Sequence, residues 1–125
     1  MRPPARRAGR KPGDGTVEHE LIVAIVERGK AQGVVKAAVK AGAPGATIIY
    51  GRGTGEHVLS FFQSLKVEPA KEIILLLVAL EARPAIFAAV AEAARVREGG
   101  KGIAFVLPVS ALVGIGRAPA DDSGL

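Results

Sequence analysis

The stretch "GRGTG", Gly51 to Gly55, alternates glycine with one arginine and one threonine, a combination suited to holding an anion. Glycine has no β-carbon and tolerates positive φ, so its backbone N–H groups can close on a phosphate. Arg52 can add a bidentate contact and Thr54 a hydroxyl. A second stretch, "EGGKGI" from Glu98 to Ile103, offers Gly100, Gly102 and the ammonium of Lys101. Neither is a Walker A loop, because Gly-Lys-Ser/Thr is missing, and neither is a Rossmann fingerprint. Taken alone, "GRGTG" also reads as a tight turn, and "GGKG" as a helix C-cap with a solvated lysine.

Other chemistry finds little support. The chain has no Cys, hence no disulfide, thiolate nucleophile or Cys-based zinc site. His19 and His57, with Glu18, Glu20 and Glu56 beside them, show no recognised metal-ligand spacing and are expected at the surface. Ser60, Ser64 and Ser110 occur in no nucleophile-elbow setting, and no pair of carboxylates has an evident shared cleft. The expectation is therefore a protein that is not an enzyme and has no resident metal. Phe61 and Phe62 stand together in a polar stretch, either packed beneath a loop or exposed as anchors for a partner.

These groups must be positioned by a small fold. At 125 residues the chain suits one domain. Apolar residues make up 49 %, but Trp is absent and only one Tyr and four Phe occur, so the core is built from Val, Ile, Leu and Ala. The formal charge of +5 is concentrated in "MRPPARRAGRKPGDG", which carries Arg2, Arg6, Arg7, Arg10 and Lys11 against Asp14 alone. Residues 1–17 are expected to be a disordered basic tail with too little apolar surface to offset ordering entropy. Weak, salt-sensitive contact of that tail with nucleic acid is the one nucleic-acid role expected. The domain is expected over residues 18–116 and a flexible tail over 117–125. Ile73 to Leu80, the longest apolar run, is too short to span a bilayer, and the N-terminus has no hydrophobic signal region, so a cytoplasmic protein without membrane insertion is expected.

"HELIVAIVER" reads as a buried strand. In "GKAQGVVKAAVKAG" the positions Ala31, Val34, Val35, Ala38 and Val39 follow helical spacing, with Gly42 as the stop. "ATIIY" is a second strand, the glycine-rich turn and a connection ending near Pro69 follow, and "KEIILLLVALE" is a third. "RPAIFAAVAEAARVREGG" predicts a second helix, with Pro84 just inside its start and Gly99 and Gly100 as its stop. "GIAFVLPV" is a fourth strand, with "ALVGI" as a short edge addition beyond Pro108.

This order is the β-α-β-β-α-β arrangement of an α+β, ferredoxin-like sandwich, an antiparallel sheet covered by two helices on one face. "IILLLVAL" has no polar alternation to suit water on the other face. That face predicts a homo-oligomer.

From His19 to Ile115 the chain resembles the PII signal-transduction proteins (nitrogen regulatory protein P-II) and particularly their divergent PII-like relatives. The resemblance is carried by the element order together with "GATIIYGRGTG", "VEPAKEIILLLV" and "GGKGIAFVLPVSALVGI". It implies a homotrimer with adenine-nucleotide sites in the clefts between subunits. It also implies a mobile T-loop, here about residues 51–69, that docks on a partner protein such as a transporter or enzyme. Thr47 matches an adenine-contacting threonine, Gly53 and Gly55 match the glycines opening the T-loop, and Arg52 falls on a usually basic position. Gly100 and Gly102 match glycines of the phosphate-side B-loop.

The chain also departs from the family. Lys101 stands where an acidic residue is common, and Ile103 where the family has a phosphate-binding lysine. Gly114 and Gly116 fall at or near the paired C-terminal arginines, which leaves Arg117, and His57 replaces the glutamine that helps bind magnesium and 2-oxoglutarate. Tyr50, the only Tyr, sits at a strand end rather than in the loop, so control by uridylylation is not expected. With so little charge for a triphosphate, AMP or ADP is favoured over MgATP with 2-oxoglutarate. The alternative is a divalent-metal-responsive or structural ferredoxin-like trimer.

Overall fold

The structure, a computed structural model, describes residues 18–53, 70–98 and 102–114. Within these, strand β1 (His19–Glu27) leads to helix α1 (Ala31–Lys40) and strand β2 (Thr47–Arg52). Strand β3 (Ala70–Ala79), helix α2 (Arg83–Ala93) and strand β4 (Gly102–Pro108) complete the order. The strands form one sheet in the order β2-β3-β1-β4, with every neighbouring pair antiparallel. The expected ferredoxin-like architecture is what the chain adopts.

The two-residue period of the strands divides the apolar run between two faces. Even-numbered side chains of β1 (Ile22, Ala24, Val26) and of β3 (Ile74, Leu76, Val78) point at the helices and are essentially inaccessible. They meet Val34 and Ala38 of α1 and Ile86 and Val90 of α2. Odd-numbered side chains line the other face, and the register aligns them in rows across the sheet. Ile49, Ile73, Ile25 and Ile103 form one row through all four strands; Thr47, Leu75, Val23 and Phe105 form the next, and Leu77, Leu21 and Leu107 a third. On the outer strands this face is open to solvent, with Ile103 52 %, Leu107 44 % and Phe105 37 % exposed. The uncovered apolar face expected from "IILLLVAL" is present.

Two carboxylates lie among the core residues, and each anchors a helix start. The residue before α1, Lys30, has no capping side chain, and the backbone N–H of Ala31 instead donates to Glu72 Oε1 of β3 at 2.9 Å. Glu72 shares the inward parity of Ile74 and is 8 % exposed, so its charge is held by this bond and by the positive end of the helix. At the other end of the sheet, Glu20 Oε1 accepts from Arg83 Nε at 2.8 Å, tying β1 to the first residue of α2. Replacing Glu72 with leucine is expected to cost about 2 kcal/mol by leaving the Ala31 N–H without its cap. Glu72→Gln, which keeps an acceptor, should cost less than half of that. Urea denaturation of both variants measures the difference.

Both helices end in a Schellman motif. For α1 the N–H of Ala43 donates to the Ala38 carbonyl and that of Gly42 to Val39, with Gly42 at φ 115°, the expected stop. For α2 the expected stop at Gly99 and Gly100 is corrected: the helix ends at Ala93. Val96 and Arg95 donate to the carbonyls of Ala91 and Glu92, and Arg95 itself takes the left-handed conformation at φ 58°. Its guanidinium donates to Glu98 Oε2 at 2.9 Å, and this bond, with the nearby charge, raises its already high pKa further. The expected edge strand in "ALVGI" also fails over its described part. Residues 111–114 pair with no strand, and Val113 is 92 % exposed.

Candidate functional site

The antiparallel register brings the candidate segments to one end of the sheet. Arg52 closes β2 opposite Ala70, where β3 begins; Lys71 faces Glu27, where β1 ends; and Gly102 opens β4 opposite Val26. The described parts of both glycine-rich stretches, residues 51–53 and Gly102, therefore sit at this end. Thr47 opens β2 opposite Leu75, is exposed, and lies on the uncovered face with Ile49. Five residue-to-residue steps along the strand separate it from Arg52, about 17 Å at ~3.3 Å per step.

The candidate glycines differ in what they do. At Gly53, exposed and just beyond Arg52, a β-carbon would meet nothing within 4 Å among the described residues, so their packing makes no demand for glycine there. At Gly102 a β-carbon would lie 2.8 Å from the Ala94 carbonyl oxygen and 3.3 Å from that of Ile25, so the end of α2 rests directly on the start of β4. Within the protomer, Gly102 is thus a packing glycine. Thr54, Gly55, Gly100, Lys101 and Arg117 lie outside the described residues, as do Phe61, Phe62, His57, the basic tail and the C-terminal tail.

The strand order has a direct consequence for any shared anion. Thr47, Arg52 and Gly53 belong to one edge of the sheet and Gly102 to the other, with β3 and β1 between them. Three inter-strand steps of ~4.8 Å put the edges about 14 Å apart, too far for a single phosphate to touch both. The structure brings Thr47, Arg52 and Gly53 onto one strand and does not bring Gly102 to them.

Some site features were not anticipated from sequence. Glu72, Arg28, Tyr50 and Lys71 line a cavity of about 450 Å³ at this same end. The signal for Glu72 was present, since a carboxylate at an inward position of an apolar strand needs a donor. Among the described residues no group of three or more His, Cys, Asp or Glu side chains could hold a metal ion, and no helix is long and apolar enough to cross a membrane.

Known proteins provide an independent comparison. The chain's fold is similar to that of Arabidopsis thaliana PII in its crystal structure bound to citrate. The TM-score is 0.61 and the identity 28 %, over 89 % of this chain and 92 % of that one. Curated protein sequences give no match. The family model described as "Nitrogen regulatory protein P-II" matches residues 19–118. Because that match runs from the first residue of β1 to beyond the end of β4, the chain belongs to the nitrogen regulatory protein P-II family.

Proposed function

We propose that this PII-family protein is a cytoplasmic regulatory sensor, a homotrimer that binds AMP or ADP in the seams between subunits and signals through the loop of residues 51–69. The observation that carries this reading is geometric. The described parts of the two glycine-rich segments sit at the same end of the sheet but at opposite edges, and the sheet's free face is a continuous apolar layer. An exposed layer of that extent calls for a partner. In an assembly that covers this face and sets the β2 edge of one protomer beside the β4 edge of the next, the gap that one chain leaves would close.

In such a seam the nucleotide's base lies toward Thr47 and its phosphates toward Arg52, Gly53, Thr54 and Gly55. Gly100, Lys101, Gly102 and Arg117 of the neighbouring protomer complete the phosphate side. The length of β2 between Thr47 and Arg52 suits an extended nucleotide, and a diphosphate reaches along more of it than a monophosphate. The citrate in the similar Arabidopsis protein supports a small, multiply charged anion as the ligand class. Bound phosphates would order the base of the loop and shift its population toward a form that a target protein, a transporter or enzyme, distinguishes. The nucleotide acts here as an effector, and no reaction is assigned to the protein.

Calorimetric titration with AMP, ADP, and MgATP plus 2-oxoglutarate tests this reading. ADP or AMP is expected to bind at least about tenfold more tightly than MgATP, a difference of ~1.4 kcal/mol. Thermal stabilisation by copper or zinc with none by any nucleotide would favour the metal-responsive alternative.

A further inference from the structure

We propose that the basic N-terminal tail is a second interaction surface, an arm that binds duplex DNA at the end of the sheet opposite the loop. Arg2, Arg6, Arg7, Arg10 and Lys11 fall within the first eleven residues, with no acidic residue among them. The nucleotide reading makes no use of these five cations. The fold fixes where they are attached. β1 starts at His19, opposite Ala79 at the end of β3, and the Glu18 carbonyl accepts from the Leu80 N–H there. Arg52, Ala70 and Lys71, beside the loop, lie at the far end of the same sheet. Eight steps along β1, from His19 to Glu27, put the two ends about 27 Å apart at ~3.4 Å per step. The tail therefore joins the domain at the end away from the loop, so DNA and a loop partner do not compete for one surface.

The domain around that attachment point does not itself attract phosphate. Glu18, Glu20 and Glu81 gather there, and Arg83 is committed to Glu20. The contact falls to the tail, and its length permits this. Eight steps from Lys11 to His19 span up to about 27 Å, well beyond the ~8 Å over which exposed charges act in physiological salt. Composition then selects the polyanion. Beyond Met1 the first eleven residues hold no large apolar or aromatic side chain, so a lipid surface would gain no insertion to add to the charge. Four of the five cations are arginine, which pairs bidentately with phosphate and is drawn into narrow minor grooves. The residues between them, Pro3, Pro4, Ala5, Ala8 and Gly9, are small enough for the backbone to enter a groove about 6 Å wide. Arginine-bearing N-terminal arms of this kind read minor grooves in other folds. The minor groove of A-form RNA is wide and shallow instead, which favours DNA.

Fluorescence anisotropy of the full chain with labelled A·T-rich and G·C-rich duplexes of equal length tests the proposal, with phosphatidylserine-containing vesicles as the competing polyanion. The A·T-rich duplex is expected to bind at micromolar protein in 50 mM salt, at least about threefold more tightly than the G·C-rich one. Its affinity should fall with salt at a log–log slope of about −4.5 if all five cations of one tail are engaged. Arg6→Gln, Arg7→Gln and Arg10→Gln combined in one chain should weaken DNA binding by about tenfold or more and leave the melting temperature unchanged. The proposal is overturned if neither duplex binds at micromolar protein in 50 mM salt, or if the G·C-rich duplex binds as tightly. It is equally overturned if the triple variant binds DNA like the parent, if that variant melts lower because the tail packs on its own domain, or if the vesicles bind and DNA does not.

Discussion

Replacing Phe105 with aspartate is expected to yield a folded monomer that no longer binds ADP. Phe105 lies on the uncovered face of β4, opposite Val23, and contributes nothing to the core beneath the helices. It is 37 % exposed in the protomer, so a polar side chain there has solvent while the chain is alone. In an assembly built on this face the same position is closed from water. Each copy then loses about 2 kcal/mol of apolar burial and in addition buries a carboxylate with no partner, which costs several kcal/mol more. Repeated at every subunit contact, the penalty should remove the assembly at micromolar protein. Sedimentation velocity reads the mass, circular dichroism the fold, and calorimetry the lost ADP site. A variant that stays assembled and keeps its ADP affinity would place the subunit contact elsewhere.

The second large effect separates two glycines that look equivalent in the sequence. Gly53→Val should weaken ADP binding by more than about tenfold, ~1.4 kcal/mol or above, and leave the melting temperature and the assembly unchanged. A β-carbon at Gly53 meets no atom of the described residues, so the close approach it is expected to spoil is that of a ligand or neighbour. Gly102→Ala should do the reverse first. Its β-carbon would lie 2.8 Å from a backbone oxygen that cannot swing away, so α2 or β4 must shift, at a cost of about 1–3 kcal/mol. Thermal melts and ADP titrations of the two variants side by side check this. Unchanged ADP affinity in Gly53→Val would remove the β2 edge from the site.

The contrast shows what was legible in the residues and what was not. Apolar spacing placed both helices and all four strands, and Gly42 marked the end of α1 because a left-handed residue at that position closes the helix cheaply. The end of α2 was misplaced for the matching reason. Arg95 takes the left-handed position that a glycine usually fills, and Gly102 makes room for the Ala94 carbonyl, a long-range contact that no local pattern announces. The same holds for α1, whose cap is supplied by Glu72 from 41 residues away rather than by Lys30. For the site, glycine spacing identified segments suited to an anion. It could not show that they leave the sheet at opposite edges, since that follows from the order in which strands pair. The apolar face was legible because "IILLLVAL" offers side chains of one kind to both sides of a strand.

Native mass spectrometry of the unmodified protein titrated with ADP addresses oligomer and site together. The expected spectrum is a trimer carrying up to three ADP molecules, with no nucleotide on any monomer that coexists with it. A monomer holding ADP as well as the trimer does, or a protein that stays monomeric throughout, would contradict a site formed between copies.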